Sequence, residues 1–392
     1  MSSDKYQILH MAPNFKVEGG QVLLLRSLQA GDSRLFSHHV AVPWRETEEP
    51  LRKEFDALGA KTIVLNLRRS LVPLTVLRLV TVFRLVTYVR RHGIDLIHTN
   101  TTPWDTYLGL IVGRLTGRPV VNTFHTMRYP ATLKDAEWGL FRGVVRVVTA
   151  VSAPVIEDWQ TCIRALGIDA GDVRLIHPGV SDRFTQPVSD SKVTKLSTEL
   201  GLCSSEQRGG PVLTIVARLV EGKGHEHLPF VVVSLVERYP HLRLLVVGEG
   251  PLRQDIEESF RETGVADHVT MLGNRSDIPE ILAITDLFIL PSRGEGFGLA
   301  VLEAMASGVP VVAFDIPSLH DFFVDGEYGR LTEVGSAEAL ADAAALILGD
   351  AEAYDRMAQA ARRAAGEFSI ANTARALERV WREVIDDNIL RT

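Results

Sequence analysis

The stretch PSRGEGFGLAVLEAMASGVPVVA, residues 291–313, decides how the chain is read. It sets two carboxylates, Glu295 and Glu303, eight positions apart. Gly294, Gly296, Phe297 and Gly298 make a glycine-rich turn around the first, and an apolar helical pattern carries the second. Glycine has no Cβ, so the backbone can approach a ligand closely. The first N–H groups of a helix lack intrahelical partners, so those of Gly298, Leu299 and Ala300 can take a phosphate. Glu295 on the loop and Glu303, about two turns down the helix, can each accept hydrogen bonds from sugar hydroxyls. The layout suits a nucleotide-sugar site.

Outward from this segment, short β-branched runs alternate with longer helical patterns, the signature of parallel α/β sheets. Strands are expected at 6–11, 38–42, 61–65, 95–98, 120–124, 147–151 and 173–176, and again at 212–216, 243–247, 269–272, 287–290 and 309–313. The longest helix of the first half is expected over about 73–92. The chain has 392 residues, 46% of them hydrophobic. Single cores stop growing beyond about 250–300 residues, which predicts two domains. The boundary is expected in HPGVSDRF, 177–184, where Pro and Gly break the periodicity. That gives domains 1–180 and 181–369. The polar run SSEQRGG, 204–210, is the second linker candidate and reads better as a helix-to-strand connection. The last helical pattern, about 370–392 and carrying Trp381, has two placements: closing domain two, or crossing back onto domain one.

The net charge of -7 argues against a general nucleic-acid binder. The two cysteines, Cys162 and Cys203, form neither a disulfide framework nor a metal-ligand set, which points to a reducing cytoplasm. The N-terminal MSSDKYQILHMAPN lacks a signal-peptide pattern. No uncharged apolar run reaches the ~18 residues of a membrane span.

Further positions carry chemistry. The loop ARLVEGKGH, 217–225, follows a strand and holds Arg218 and Lys223, two cations able to neutralise a diphosphate; alone it is equally a solvated basic loop. Gly19 and Gly20, after the first strand and before a helix, fit a backbone anion site or an ordinary turn. VVGEGPLR, 246–253, places Gly248 and Gly250 after a strand, but Arg253 occupies the third-glycine position of a dinucleotide fingerprint, so a nicotinamide site is a poor reading. His125 ends a strand and faces either a ligand crevice or the core. His98 reads as structural. His225 and His227 have no carboxylate or cysteine at ligand spacing, so no metal site is read there. No two aspartates are separated by one residue, which removes the commonest arrangement for a metal on a sugar diphosphate.

Taken in order, Gly19–Gly20, His125, the HPGV hinge, Arg218 with Lys223, GEGP and the Glu295/Glu303 pair resemble the retaining glycosyltransferases of family 4 over the whole chain. The resemblance implies the GT-B fold, two Rossmann-like parallel-sheet domains facing a central cleft. It implies a nucleoside-diphosphate sugar donor bound by domain two, UDP favoured over GDP, and an acceptor bound by domain one. Glu303 would bond the ribose hydroxyls and Glu295 the sugar. Arg218, Lys223 and the N–H groups near Gly20 and Gly298–Ala300 would bind the diphosphate. Arg275 and Ile278, in GNRSDIP, would wall the base, and His125 would place the sugar. The family commonly has His-Asp where this chain has His125–Thr126, so no role is carried over to that neighbour. Front-face attack with retention, in which the leaving phosphate takes the acceptor's proton, needs no protein nucleophile; no metal or cofactor is expected. The two domains would close over the donor and exclude water.

A glycosidase reading of the two glutamates fits the glycine loop poorly. A GT-B epimerase or phosphorylase, and a GT-B binder without turnover, stand as alternatives. Donor hydrolysis separates a transferase from a binder. The acceptor is a hydroxyl on a glycan, a lipid-linked glycan or a small molecule. Residues 68–91, RRSLVPLTVLRLVTVFRLVTYVRR, are apolar yet carry Arg68, Arg69, Arg78, Arg84, Arg90 and Arg91. They read either as an amphipathic surface for anionic lipid on the inner face of the membrane or as a core helix with solvated arginines.

Overall fold

A computed structural model describes residues 5–16, 19–43, 49–65, 74–100, 103–127, 138–202 and 209–391. The chain forms two compact units, Met1–Gly179 with Ile370–Thr392, and Val180–Ser369.

The first unit holds a seven-stranded parallel sheet. Its strands are β1 (Tyr6–Met11), β2 (Phe36–Val42), β3 (Lys61–Val64), β4 (Leu96–Thr99), β5 (Val120–Phe124), β6 (Val145–Ala150) and β7 (Val173–Leu175). They lie in the order β3-β2-β1-β4-β5-β6-β7. The chain lays strands to one side of β1, then returns and continues from β4 on the other side. That reversal opens a crevice at the C-terminal ends of β1 and β4, where open α/β sheets bind ligands.

The second unit repeats the plan with β8 (Val212–Val216), β9 (Arg243–Val247), β10 (Val269–Gly273), β11 (Leu287–Leu290), β12 (Val311–Phe314) and β13 (Gly329–Thr332). Their order is β10-β9-β8-β11-β12-β13, with the reversal between β8 and β11. Two differences from the sequence expectation have local causes. β12 starts at Val311 rather than at 309, because Val309 N–H caps the preceding helix on the Ala304 carbonyl while Gly308 turns the chain at φ 75. β13 is an added edge strand with little apolar content, GRLT; at its start Gly329 lies so close to Val311 that a Cβ would sit 1.8 Å from the Val311 carbonyl oxygen.

Helix Ile370–Arg391 belongs to the first unit although it follows the second in sequence. Leu377, Val380, Trp381, Val384 and Ile385 join Ile8, Phe36, Val40, Leu96 and Val121 in one buried cluster. Trp381 is 1% exposed and packs edge-on against Phe36 and His10. Under it runs a buried polar row. His10 Nδ1 meets His98 Nδ1 at 3.0 Å, and His10 Nε2 meets His38 Nδ1 at 3.0 Å. His98 Nε2 continues to Thr123 Oγ1 at 2.7 Å, and Thr123 to Thr149 at 2.6 Å. Burial holds His38 down at about 4 and His98 at about 3, and pushes His10 well below its ordinary value.

Candidate active site

In the second unit the switch point gathers the charged candidates. Arg218 and Lys223 lie on the loop that leaves β8; Glu295 lies on the loop that leaves β11, the neighbouring strand. The two loops are stitched together. Arg293 N–H donates to the Gly222 carbonyl at 2.9 Å, and a Cβ on Gly224 would lie 1.8 Å from the Pro291 carbonyl oxygen. Gly224 also sits at φ 75, a conformation that suits glycine. This close crossing brings Lys223 Nζ to 2.6 Å from Glu295 Oε1. Both side chains are largely shielded, at 21% and 17% exposure, so the pair is charge-assisted and little screened. Arg218 is exposed, on the same loop as Lys223.

Glu303 is on helix Leu299–Ala306. Glu303 is its fifth residue, just over one turn in rather than two. Gly298 caps the helix at φ 96, and a Cβ there would strike Leu319 at 2.6 Å. Leu299 and Ala300 open the first turn, ahead of Val301, whose N–H donates to the Gly298 carbonyl at 2.9 Å. Phe297 anchors the loop from below: it is 4% exposed and stacks near Phe322 at 4.7 Å.

Other positions take different parts. Gly248 N–H donates to the Gly273 carbonyl at 2.8 Å, and a Cβ on Gly248 would lie 2.0 Å from the Ala217 carbonyl oxygen. Gly250 is pressed likewise against Leu219. These two glycines let the 246–253 loop brace the Arg218 loop. Arg275 is held by Asp277 through bonds of 2.8 and 2.6 Å and by Glu199 at 2.7 Å, which raises its pKa further. Three of its five N–H donors are thereby engaged. Ile278 is 8% exposed at the start of helix Ile278–Ala283.

In the first unit the candidates with described positions, Gly19, Gly20 and His125, are uncharged. Gly19 and Gly20 are the opening residues of helix Gly19–Ala30, not a loop before it. A Cβ on Gly20 would meet only His125 Cγ, at 3.9 Å, and one on Gly19 would meet nothing within 4 Å. Neither glycine is demanded by the protein's own packing, which leaves room for a ligand against the helix start. His125 follows β5, and burial holds its imidazole down at about 4. His125 Nε2 lies 3.1 Å from Asn100 Oδ1. Asn100 is the site-lining residue that sequence reasoning passed over. It follows β4, and only the strand order reveals that this is the switch point.

Among the described residues, no group of three or more His, Cys, Asp or Glu side chains could hold a metal ion. No described helix is long and apolar enough to cross a membrane.

Comparison with known proteins bears on what this arrangement does. Residues 17–184 match the model described as Glycosyltransferase Family 4, and residues 204–364 match Glycosyl transferases group 1. The chain belongs to the family 4 glycosyltransferases. Among related family members, alpha-D-kanosaminyltransferase of Streptomyces kanamyceticus is 29% identical, over 70% of this chain and 73% of its own length. D-inositol 3-phosphate glycosyltransferase of Corynebacterium glutamicum is 28% identical, over 77% and 75%. The fold is GT-B. Anabaena HepE, solved with UDP and glucose, superposes with TM-score 0.79 at 22% identity, covering 95% of this chain and 98% of that one. This glycosyltransferase carries the Lys223–Glu295 pair at the C-terminal unit's switch point and His125 with Asn100 at the N-terminal unit's.

Proposed function

We propose that this glycosyltransferase moves a sugar from a nucleoside-diphosphate sugar, UDP favoured, to a hydroxyl acceptor with retention of configuration and without a metal or cofactor. The observation that carries this reading is the Lys223–Glu295 pair at 2.6 Å, shielded at the β8/β11 switch point. A cation and a carboxylate side by side suit a ligand that is anionic at one end and rich in hydroxyls at the other. Lys223, Arg218 and the first turn of helix Leu299–Ala306 would meet the diphosphate, Glu295 the sugar and Glu303 the ribose.

Bond breaking moves negative charge onto the departing diphosphate. Lys223 and the helix-start N–H groups then interact more strongly than in the ground state, which accelerates the step. The sugar carbon becomes oxocarbenium-like as the acceptor oxygen approaches from the leaving-group side. The acceptor's proton passes to the leaving phosphate, so no side chain must act as nucleophile. The HepE complex with UDP and glucose supports the choice of UDP by analogy.

The test is calorimetric titration with UDP, GDP and ADP, first in EDTA and then with magnesium, followed by a donor-hydrolysis assay. Binding of UDP in EDTA and slow release of sugar from the matching UDP-sugar are expected. No binding of any nucleotide under either condition would overturn the reading. Binding without turnover would favour the non-catalytic alternative.

One surface feature favours an acceptor presented at a lipid surface on the cytoplasmic side. On helix Leu74–Arg91, Leu79, Val80 and Phe83 are 70%, 50% and 72% exposed. The exposed Arg84, Arg90 and Arg91 continue the same helical face. Large apolar side chains flanked by arginines suit the interface of an anionic bilayer. Arg68 and Arg69 lie outside the described residues. Sedimentation with phosphatidylglycerol vesicles, lost in Phe83→Asp and absent with phosphatidylcholine, is the expected result; equal recovery with both lipids would sink this part.

A further inference from the structure

The turn that carries Glu295 is backed by three aromatic rings of the second unit. Phe297 lies two positions after Glu295 and six before Glu303, and its ring is buried. Its centroid is 4.7 Å from that of Phe322 and 6.1 Å from that of Phe368, and Phe322 and Phe368 are 6.0 Å apart. All three spacings lie in the range where tilted and edge-to-face rings attract. Phe322 also closes over the turn itself, since a Cβ on Gly298 would lie 3.6 Å from Phe322 Cζ. The rings come from three separate segments: the loop after β11, the loop after β12, and the last residues of the unit.

Phe368 is pinned by its own main chain. Its N–H donates to the Ala365 carbonyl at 3.1 Å, at the end of helix Ala351–Ala365, and its carbonyl accepts from the Val180 N–H at 2.7 Å. Val180 and Ser369, the first and last residues of this unit, pair as a parallel bridge. The chain's entry and exit are thus stapled together at the residue whose ring backs the turn. On another side, Phe322 and Phe368 line a cavity of about 480 Å³. Packing there is open, so truncating either ring leaves a gap that its neighbours can fill only by moving.

We propose that Phe368 is a positioning residue for transfer: its ring, set against Phe297 and Phe322 and held by the backbone bond from Val180, fixes where the 294–298 turn presents Glu295. The inference rests on the transferase reading above and deepens it, since that reading puts Glu295 on the sugar. Helix Leu299–Ala306 has support of its own. Val301, Leu302, Ala304 and Met305 are buried, and Arg362 donates to the Ser307 carbonyl just beyond its end at 2.9 Å. Glu303 should therefore keep its place when the turn shifts, so that transfer suffers and nucleotide binding does not.

The test compares wild type, Phe368→Leu, Phe368→Ala and Val324→Ala. Val324 lines the same cavity but is 46% exposed and stands outside the ring stack. The first readout is calorimetry with UDP, which gives affinity and the number of sites, followed by donor hydrolysis or transfer expressed per UDP-binding site. Phe368→Ala should lose about ten- to a hundredfold in rate per site, the scale of a misplaced reacting group, with UDP affinity little changed. Phe368→Leu should fall between it and wild type, and Val324→Ala should match wild type. A residue that serves stability alone would lower the number of sites and leave the rate per site as it was. The second readout is hydrogen exchange of the ligand-free enzyme. In Phe368→Ala, residues 294–299 should exchange faster while β8 keeps its protection.

An unchanged rate per site in Phe368→Ala would overturn the inference, and so would unchanged exchange at 294–299. An equal loss in Val324→Ala would also overturn it, by making the cavity wall in general responsible. Should Phe368→Ala fail to fold, Phe368→Leu carries both readouts, and wild-type values in both would overturn the inference. Failure of the wild type to bind or turn over any nucleotide sugar would remove the transferase reading and the effect on transfer with it. The exchange data would still decide whether Phe368 holds the turn.

Discussion

The two sheets reverse direction at equivalent places, beside β1 in one unit and beside β8 in the other, yet the groups collected there differ in kind. At the second switch point stand Lys223, Glu295 and Arg218, with Lys223 and Glu295 in ion-pair contact. At the first stand His125, Asn100 and two glycines, with the histidine kept neutral. The interiors differ in the same sense. Beneath the first sheet's covering helix lies a row of hydrogen-bonded histidines and threonines, whereas Trp381 seals it with apolar surface. Topology thus supplies a crevice twice, and the described side chains differ between them: an ion pair at one, a neutral histidine beside an asparagine at the other.

The largest effect should come from breaking the seal over the first unit. Trp381 is almost fully buried and touches Phe36, His10, His38 and His98. Trp381→Ala should destabilise this unit by about 3–5 kcal/mol, the usual loss for a large aromatic in a core. Hydrogen exchange should show strands β1 and β4 losing protection while β8 and β11 keep theirs. Equal loss in both units would mean that the closing helix does not belong to the first alone.

Next in size is the charged pair. Lys223→Ala should lower the transfer rate by about 10²–10³, or roughly 3–4 kcal/mol, the range for removing one donor to a developing anion. Glu295→Gln sharpens the point. It frees Lys223, so UDP should bind at least as well as before, while transfer from the UDP-sugar falls. Weaker UDP binding in Glu295→Gln would show that the carboxylate positions the cation rather than the sugar.

The comparison also separates the units by pH. His38, held at about 4, and His98, at about 3, titrate below the unfolded value of about 6.5, and His10 is shifted the same way. As pH drops from about 6.5 towards 4, the unfolded chain takes up protons that the folded unit refuses. Stability is therefore complete above 6.5 and lost on acidification, by about a factor of ten in the folding constant per pH unit for each such histidine. The second unit's buried counterpart is His225, held at about 4. Protection factors measured from pH 7 to 5 should fall faster in β1 and β4 than in β8 and β11. Parallel decline in both units would contradict the assigned role of the histidine row.

How much of this was legible in the sequence follows from where the determinants lie. Strands such as Tyr6–Met11, Val120–Phe124 and Val212–Val216 are rich in β-branched or apolar residues, and their bounds follow from local pattern. β13 escaped because GRLT has no periodicity, and its pairing with β12 is a long-range choice made through Gly329. Glu303 was expected about two turns down its helix, but Gly298 adopts a left-handed cap at φ 96, the helix opens at Leu299 and Glu303 is its fifth residue. Lys223 and Glu295 could be named from their loops, but their contact depends on β8 and β11 being neighbours, which only strand order reveals. Asn100 carries no local signal at all. Its side chain is held by the Met11 carbonyl, 89 positions earlier.

The smallest effect concerns the rim of the charged crevice and tests whether shielding, rather than charge, makes the Lys223–Glu295 pair matter. Arg293 and Glu226 also bridge the β8 and β11 loops, at 3.4 Å, but both are over half exposed. Such a pair contributes about 0–1 kcal/mol, because water and salt screen it and ordering two long side chains opposes it. Arg293→Ala should therefore leave transfer within a few-fold of wild type, and salt should shrink even that difference. The loop crossing itself should persist, since the Arg293 N–H bond to Gly222 is a backbone bond and survives the substitution. A loss in Arg293→Ala comparable to that in Lys223→Ala would mean that the loops are positioned by their exposed charges. The glycine-dependent backbone crossing at Gly224 would then no longer suffice as the reason Lys223 and Glu295 meet.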